Sequence, residues 1–421
     1  MGCAGAGPVG YMLMLRLISA VCCASALFAQ DKPKLDLHGD RFPGLKYDEL
    51  TPAQKVIADR AIAGRGTIGI FNIELRSPEL SEATRGIISS RIPPVISARQ
   101  NEMAVLLTGR YWNAQYEFSV HHRVGARAGI SEETIAAIVQ GKRPAALLPE
   151  EVPVYDFVTE LLNNRQVSDA TFQSTKEKMG EKGVVDLIGL VSFYQMASLM
   201  MNVDRYPLDE GRKPELPALA MALPSTSPDM GGERFKPLTA DEMTPAQKNL
   251  MDLLVSGKIE GGTRGPVNIL LRSPDIGEGI LRFGAYERFH SPLPMKLNEL
   301  AALVTIRNAG AQFPWYAHHR AGVQAGLSEA VVSAIAEGRK PAGLQADEQA
   351  VYNFTAEGLR TGQVSDATFN AAKQQLGERG VVEVMRVIGY YQTVSLLTNV
   401  DRYPLPDGVA GEIKPLANPI P

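Results

Sequence analysis

The chain repeats itself, and that repeat constrains its fold more than any other feature. Residues 101–207 align without a gap to 298–404 at a constant offset of 197, and 51 of the 107 paired positions are identical. A unit of this length is a domain and not a solenoid element, so whatever one copy folds into must form twice. The closest matches sit near the end of each unit. Gln166-Val-Ser-Asp-Ala-Thr-Phe172 returns at 363–369, and Asn202-Val-Asp-Arg-Tyr-Pro207 at 399–404. Upstream, Thr51-Pro-Ala-Gln54 and Leu75-Arg-Ser-Pro78 return at 244–247 and 271–274, at slightly smaller offsets. These matches divide the chain into a first domain at 45–207, a second at 239–404 and a tail at 405–421. The stretch 208–238 holds Pro214, Pro217, Pro224, Pro228, Pro237 and Gly231-Gly232, a linker composition.

Within each copy the pattern is helical. Ser131 is suited to cap a helix whose first turn carries Glu132 and Glu133 and whose apolar face carries Ile135 and Ile138, with Gly141 and Pro144 as the stop. Residues 151–163 place Val154, Phe157, Val158, Leu161 and Leu162 at helical spacing. A third helix starts at Ser168 or Asp169 and ends at Gly180. Residues 184–202 are apolar nearly all round, which predicts a helix buried on most sides, in a core or at an interface. No segment alternates like a strand. The fold class is all-α.

The balance of 43 basic and 46 acidic residues, a net charge of −3, argues against a nucleic-acid binder. All three cysteines, Cys3, Cys22 and Cys23, fall in the first 23 residues. There, Arg16 precedes an apolar run from Leu17 to Ala29, and Ala24-Ser25-Ala26 and Ala29 offer small residues for cleavage. A run of about 13 residues is too short to span a bilayer and suits a secretory signal. We therefore expect residues 1–29 to be a signal peptide, export to the periplasm or beyond, and no membrane association once it is removed. The remaining chain would carry no thiol.

The segment Arg110-Tyr-Trp-Asn-Ala-Gln-Tyr-Glu-Phe-Ser-Val-His121, continued by His122-Arg-Val-Gly-Ala-Arg-Ala-Gly129-Ile-Ser131, resembles the carboxymuconolactone decarboxylase family, relatives of alkylhydroperoxidase D. Gly141-Lys-Arg-Pro144, Val167-Ser-Asp169 and Gly180-Glu-Lys-Gly183 fit the same pattern, and 307–318, 325–328 and 338–341 repeat it. The resemblance implies two tandem helical domains of that type, no cofactor, and association into rings of dimers. A fused duplication would then act as its own dimer, and a ring would be a trimer of such chains. The peroxidase branch requires a pair of thiols between its glutamate and its histidine. Anchored on Glu102 and His121, these would fall at Ala114 and Glu117, and in the second copy at Ala311 and Pro314. Neither copy has a thiol there, so thiol peroxidase chemistry is excluded. The decarboxylase branch, which the resemblance leaves, acts on a small lactone or dicarboxylic acid. Its chemistry asks for a cation to hold the retained carboxylate and an acid to protonate the carbon left behind.

Glu117 and His121, four apart on a helix, share a face, and a carboxylate there would orient the imidazole as a general acid. His121, Glu117 and Glu102, with His318 and Glu299 in the second copy, are the candidate catalytic residues. A bonded pair of His121 and Glu102 between helices is the purely structural alternative. Arg110 and Arg307 are candidate carboxylate clamps. Gln115, Gln312, His122 and His319 are further candidate binding residues. Arg123 and Arg320 read as surface or interface ion pairs, and Trp112, Tyr116 and Trp315 as core. Adjacent histidines diverge on one helix, so no metal is expected at His121-His122 or His318-His319. Glu117 is matched by Pro314, which removes the Glu–His pair and requires the helix carrying His318 to begin nearby. The first copy thus has the better-equipped site. The alternatives are a binding or scaffold module of the same fold that takes a small acid, or another lyase, isomerase or hydrolase.

Overall fold

The computed structural model describes Met1 and residues 39, 41–89, 95–222, 234–263 and 265–421. The expected signal segment, its cysteines and part of the linker lie outside these residues. Among the described residues every regular element is a helix. The first copy contains α1 (Pro52–Arg65), α2 (Pro78–Ser89), α3 (Ala98–Tyr111), α4 (Gln115–Arg127), α5 (Glu132–Val139), α6 (Val152–Asn164) and α7 (Asp169–Asp204). The second contains α8 (Pro245–Val255), α9 (Val267–Leu270), α10 (Pro274–Phe289), α11 (Met295–Ala309), α12 (Gln312–Gln324), α13 (Glu329–Ala336), α14 (Ala346–Thr361) and α15 (Asp366–Asp401).

Local chemistry sets these boundaries. The Ser131, Ser168, Ser328 and Ser365 side chains each accept from the backbone N–H three residues on, satisfying a donor the helix itself leaves open. Thr51-Pro-Ala-Gln54 and Thr244-Pro-Ala-Gln247 are both reciprocal capping boxes with proline in the first turn. The two helices expected around Gly180 abut directly. Gly180 (φ 69°, ψ 176°) breaks α7, and Gly377 (φ 69°, ψ 175°) breaks α15 at the equivalent point. Only glycine adopts that conformation without strain.

The apolar half of α7 is long enough by composition to cross a membrane, yet its most apolar window is 89% buried inside the chain. It packs against α15, its own repeat partner, so the interface anticipated for this segment lies within one chain.

The two copies also exchange their leading segments. Arg76 of the first copy pairs with Glu378 on α15 (2.9 Å), and Arg272 of the second pairs with Glu181 on α7 (2.9 Å). Ser77 Oγ donates to Glu383, and Ser273 Oγ donates to Asp186. Phe42 stacks edge-on against Phe369, and Phe235 against Phe172. Between these arms α2 crosses α10 at Gly86 and Gly279. A Cβ on Gly86 would lie 2.9 Å from the Gly279 Cα, and one on Gly279 would lie 2.6 Å from the Ile87 nitrogen.

The segments that follow each copy fold back as straps. Gln115 Nε2 donates to the Leu216 carbonyl, and its Oε1 accepts from the Glu215 and Leu216 N–H groups. Gln312 does the same with Ile413, donating to its carbonyl and accepting from its N–H. Residues 215–216 and 412–413 stand at the same offset of 197 as the helices.

Candidate functional site

His121 stands in the middle of α4, beside α3. Its Nδ1 meets Glu102 Oε2 at 2.7 Å, and Glu102 Oε1 accepts from Asn101 Nδ2 at 3.1 Å. A carboxylate on Nδ1 fixes the ring's tautomer and turns Nε2 outward. Glu117 Oε2 is 3.8 Å from that Nε2, which is beyond hydrogen-bond reach. The expected Glu117–His121 hydrogen bond is therefore absent. Helical spacing does bring the two onto one face, but the stronger contact with Glu102 orients the ring. Burial pushes the Glu117 carboxyl above its ordinary value, against the opposing influence of His121 and Arg65.

His121 and Glu117 open into a pocket of about 100 Å³. Its apolar wall comes from α4, α7 and the turn before α2, through Ile70, Phe71, Val120, Phe193, Met196 and Met200. The Tyr194 ring packs edge-on to the imidazole, with centroids 5.0 Å apart. Two guanidinium groups complete the lining. Arg386 arrives from α15 of the other copy, is almost fully buried, and pairs with Glu74 at 2.9 Å. Arg65 closes α1, is exposed, sits 5.2 Å from the Phe71 ring, and has no ion pair among the described residues.

The second copy repeats the backing pair and changes the surroundings. His318 Nδ1 meets Glu299 Oε2 at 2.8 Å, and His318 lines a pocket of about 240 Å³. Pro314, Phe313 and Leu270 stand where the first pocket has Glu117, Tyr116 and Glu74. Arg386 corresponds to Gly189, so no cation enters this pocket from α7. Arg288 supplies one from α10 instead, and the buried Tyr391 hydroxyl has no hydrogen-bond partner among the described residues.

Several expected residues lie elsewhere. Arg110 does not face His121: it bonds Asn113 Oδ1 (2.5 Å) and the Pro217 carbonyl (2.7 Å). Arg307 Nε donates to the Ala336 carbonyl at 2.7 Å. Both sit in the last turn of a helix, where the side chain reaches the following loops and not the groove between α3 and α4. Gln115 and Gln312 are spent on the straps. His122 is held by Glu215 (2.5 Å) and Glu132 (2.9 Å), and His319 by Glu412 (2.6 Å) and Glu329 (3.1 Å). The divergence of adjacent helical residues sends both outward. Arg123 forms its expected ion pair, with Asp209 at 2.7 Å. Trp112 and Trp315 are core, whereas Tyr116 lines the first pocket.

Arg65, Glu74 and Arg386 carry no signal within one copy. Position 386 offered a cue, as a charge inside an apolar helix where the other copy has glycine. No family model, curated protein or solved structure matches the chain.

Proposed function

We propose that the first-copy pocket binds a small organic acid and decarboxylates it without a cofactor, as a carboxymuconolactone decarboxylase-type site would. The observation that carries this reading is the part-buried Glu102–His121 pair, whose imidazole lines a largely apolar pocket together with Arg65 and Arg386. In such a site the carboxylate-backed imidazolium is a positioned acid, and a guanidinium in the lining can hold an anion by charge-assisted hydrogen bonds. For a substrate with a carbonyl β to the departing carboxylate, the bond to that carboxylate breaks and its electron pair passes to the carbonyl as an enolate. Carbon dioxide leaves. His121 Nε2–H protonates the carbon, and the imidazole regains its proton from water. Arg65, unpaired at the mouth, takes a carboxylate that the substrate keeps. Glu117, held toward its neutral form by burial, adds a hydrogen-bond donor without adding negative charge.

The second copy, with proline in place of Glu117, lacks the donor beside its histidine and is the lesser site in this scheme. Release of carbon dioxide from a panel of small lactone and keto-dicarboxylates tests the reading. Turnover is expected with at least one β-keto or lactone diacid. No release from any of them would leave an acid-binding module in its place.

A further inference from the structure

Arg110 is a buried cation with no counter-charge. It is 4% exposed, no carboxylate lies within ion-pair distance among the described residues, and its Nε has no partner. Burial alone pulls its pKa down to about 10. Buried charges are ordinarily paired, because an unpaired one forfeits hydration with nothing in return.

Arg110 lines a half-open cavity of about 420 Å³ between α3, α5, α6 and the strap that follows α7. This volume falls within the range of small-molecule sites. Lys142 stands at its rim, exposed and without an ion pair among the described residues. The walls are Leu107, Ile138, Leu162 and Leu219 with the rings of Tyr111 and Tyr155, and the lining contains no Asp or Glu. Tyr111 OH accepts from Arg165 at 2.6 Å and lies 3.2 Å from the Ala222 carbonyl, which ties the strap down over the opening.

The second copy keeps the buried arginine, Arg307, likewise without an ion pair among the described residues, but its Nε is satisfied by the Ala336 carbonyl and the counterpart of Lys142 is Arg339, which is paired with Glu337.

We propose that this cavity is a second ligand site, separate from the His121 pocket, that binds an aromatic or aliphatic monocarboxylate. Arg110 and Lys142 hold the carboxylate, the leucine and tyrosine walls take the apolar body, and residues 216–222 cover it. The site is independent of the decarboxylase reading and stands if that reading fails.

Isothermal titration of the full chain with 2-naphthoate, and with 2-naphthamide as its uncharged counterpart, tests it. Naphthoate is expected to bind once per chain, and the amide at least about tenfold more weakly, the scale of one lost charge-assisted contact. Lys142→Met is expected to weaken naphthoate about fivefold, within the range of a partly screened charge. Leu219→Trp, which fills the cavity from the exposed strap, should abolish binding, whereas His121→Ala should leave it unchanged. Arg110→Met should also abolish it. Should that variant not fold, the rim and strap variants decide the matter alone. The proposal is overturned by no binding, by equal binding of acid and amide, by wild-type affinity in both Lys142→Met and Leu219→Trp, or by loss of binding in His121→Ala.

Discussion

At the scale of single residues, the buried carboxyl groups make the clearest predictions. Glu287, at the end of α10, is fully enclosed. It touches Asn298 Nδ2 with one oxygen at 3.4 Å, and its other oxygen has no partner. Burial first, then the nearby Glu383, raises its pKa well above 4.5, against the smaller opposing influences of the Asn298 hydrogen bond and Arg386. Because the folded value is raised, the folded chain holds this proton where the unfolded chain has released it. Its stability contribution is present below the unfolded value and is lost as pH rises toward the folded one. Glu287→Gln should therefore melt higher than the parent at pH 8, by about 1–3 kcal/mol in stability, with the gap closing near pH 4. Thermal melts across that range check this. Glu117 is shifted the same way by burial, and under the proposed decarboxylation that shift would also serve the reaction. If its proton serves as a donor, Glu117→Gln keeps turnover at high pH, where the parent declines through the raised Glu117 value. A pH–rate profile reads this directly. Of this level, sequence reasoning found the histidines and their carboxylates and missed the cations. Spacing along a helix pairs residues on one element, whereas Arg65 and Arg386 reach the pocket from elements far apart in the chain.

At the scale of elements, helix boundaries followed from caps and stops that sequence shows openly: serine caps, capping boxes and glycine breaks. What sequence did not show is how the helices meet. The α2–α10 crossing depends on two glycines whose backbones nearly touch. Gly279→Val should cost about 3 kcal/mol, since the side chain would press on backbone that cannot move aside. Chemical denaturation measures this. A loss below about 0.5 kcal/mol, the range of a neutral surface change, would show that the crossing can open.

At the scale of the whole molecule, the strongest repeated motifs prove to be the joints between the copies. In Leu75-Arg-Ser-Pro78 and its repeat, the arginine and serine reach across to Glu378 and Glu383, or to Glu181 and Asp186. Asp169 and Asp366, within the Gln-Val-Ser-Asp motif, take Arg234 with Arg402 and Arg41 with Arg205. Asp204 and Asp401, within Asn-Val-Asp-Arg-Tyr-Pro, accept from the Phe42 and Phe235 N–H groups of their own copies and so anchor the base of each exchanged arm. The repeat was legible as a duplication, but its exchange was not, because alignment shows that two segments are alike and not which one pairs with which. A chain cut at a protease site inserted between Ala222 and Arg234 should stay together as one species on size-exclusion chromatography. Separation into two halves would show that the exchanged arms do not hold.

The exchange also explains why the two pockets differ. The first is finished by Arg386 of the other copy, whereas the lining of the second comes from its own copy, so divergence between positions 386 and 189 gives one pocket a cation that the other lacks. On the proposed decarboxylase reading the first pocket is the reactive one, and paired histidine variants distinguish the two copies. With a diacid that the parent decarboxylates, His121→Ala should lower carbon dioxide release by at least about 100-fold, the scale of a lost general acid. His318→Ala should keep most of it. Equal losses from the two variants, or release that survives in His121→Ala, would contradict the account.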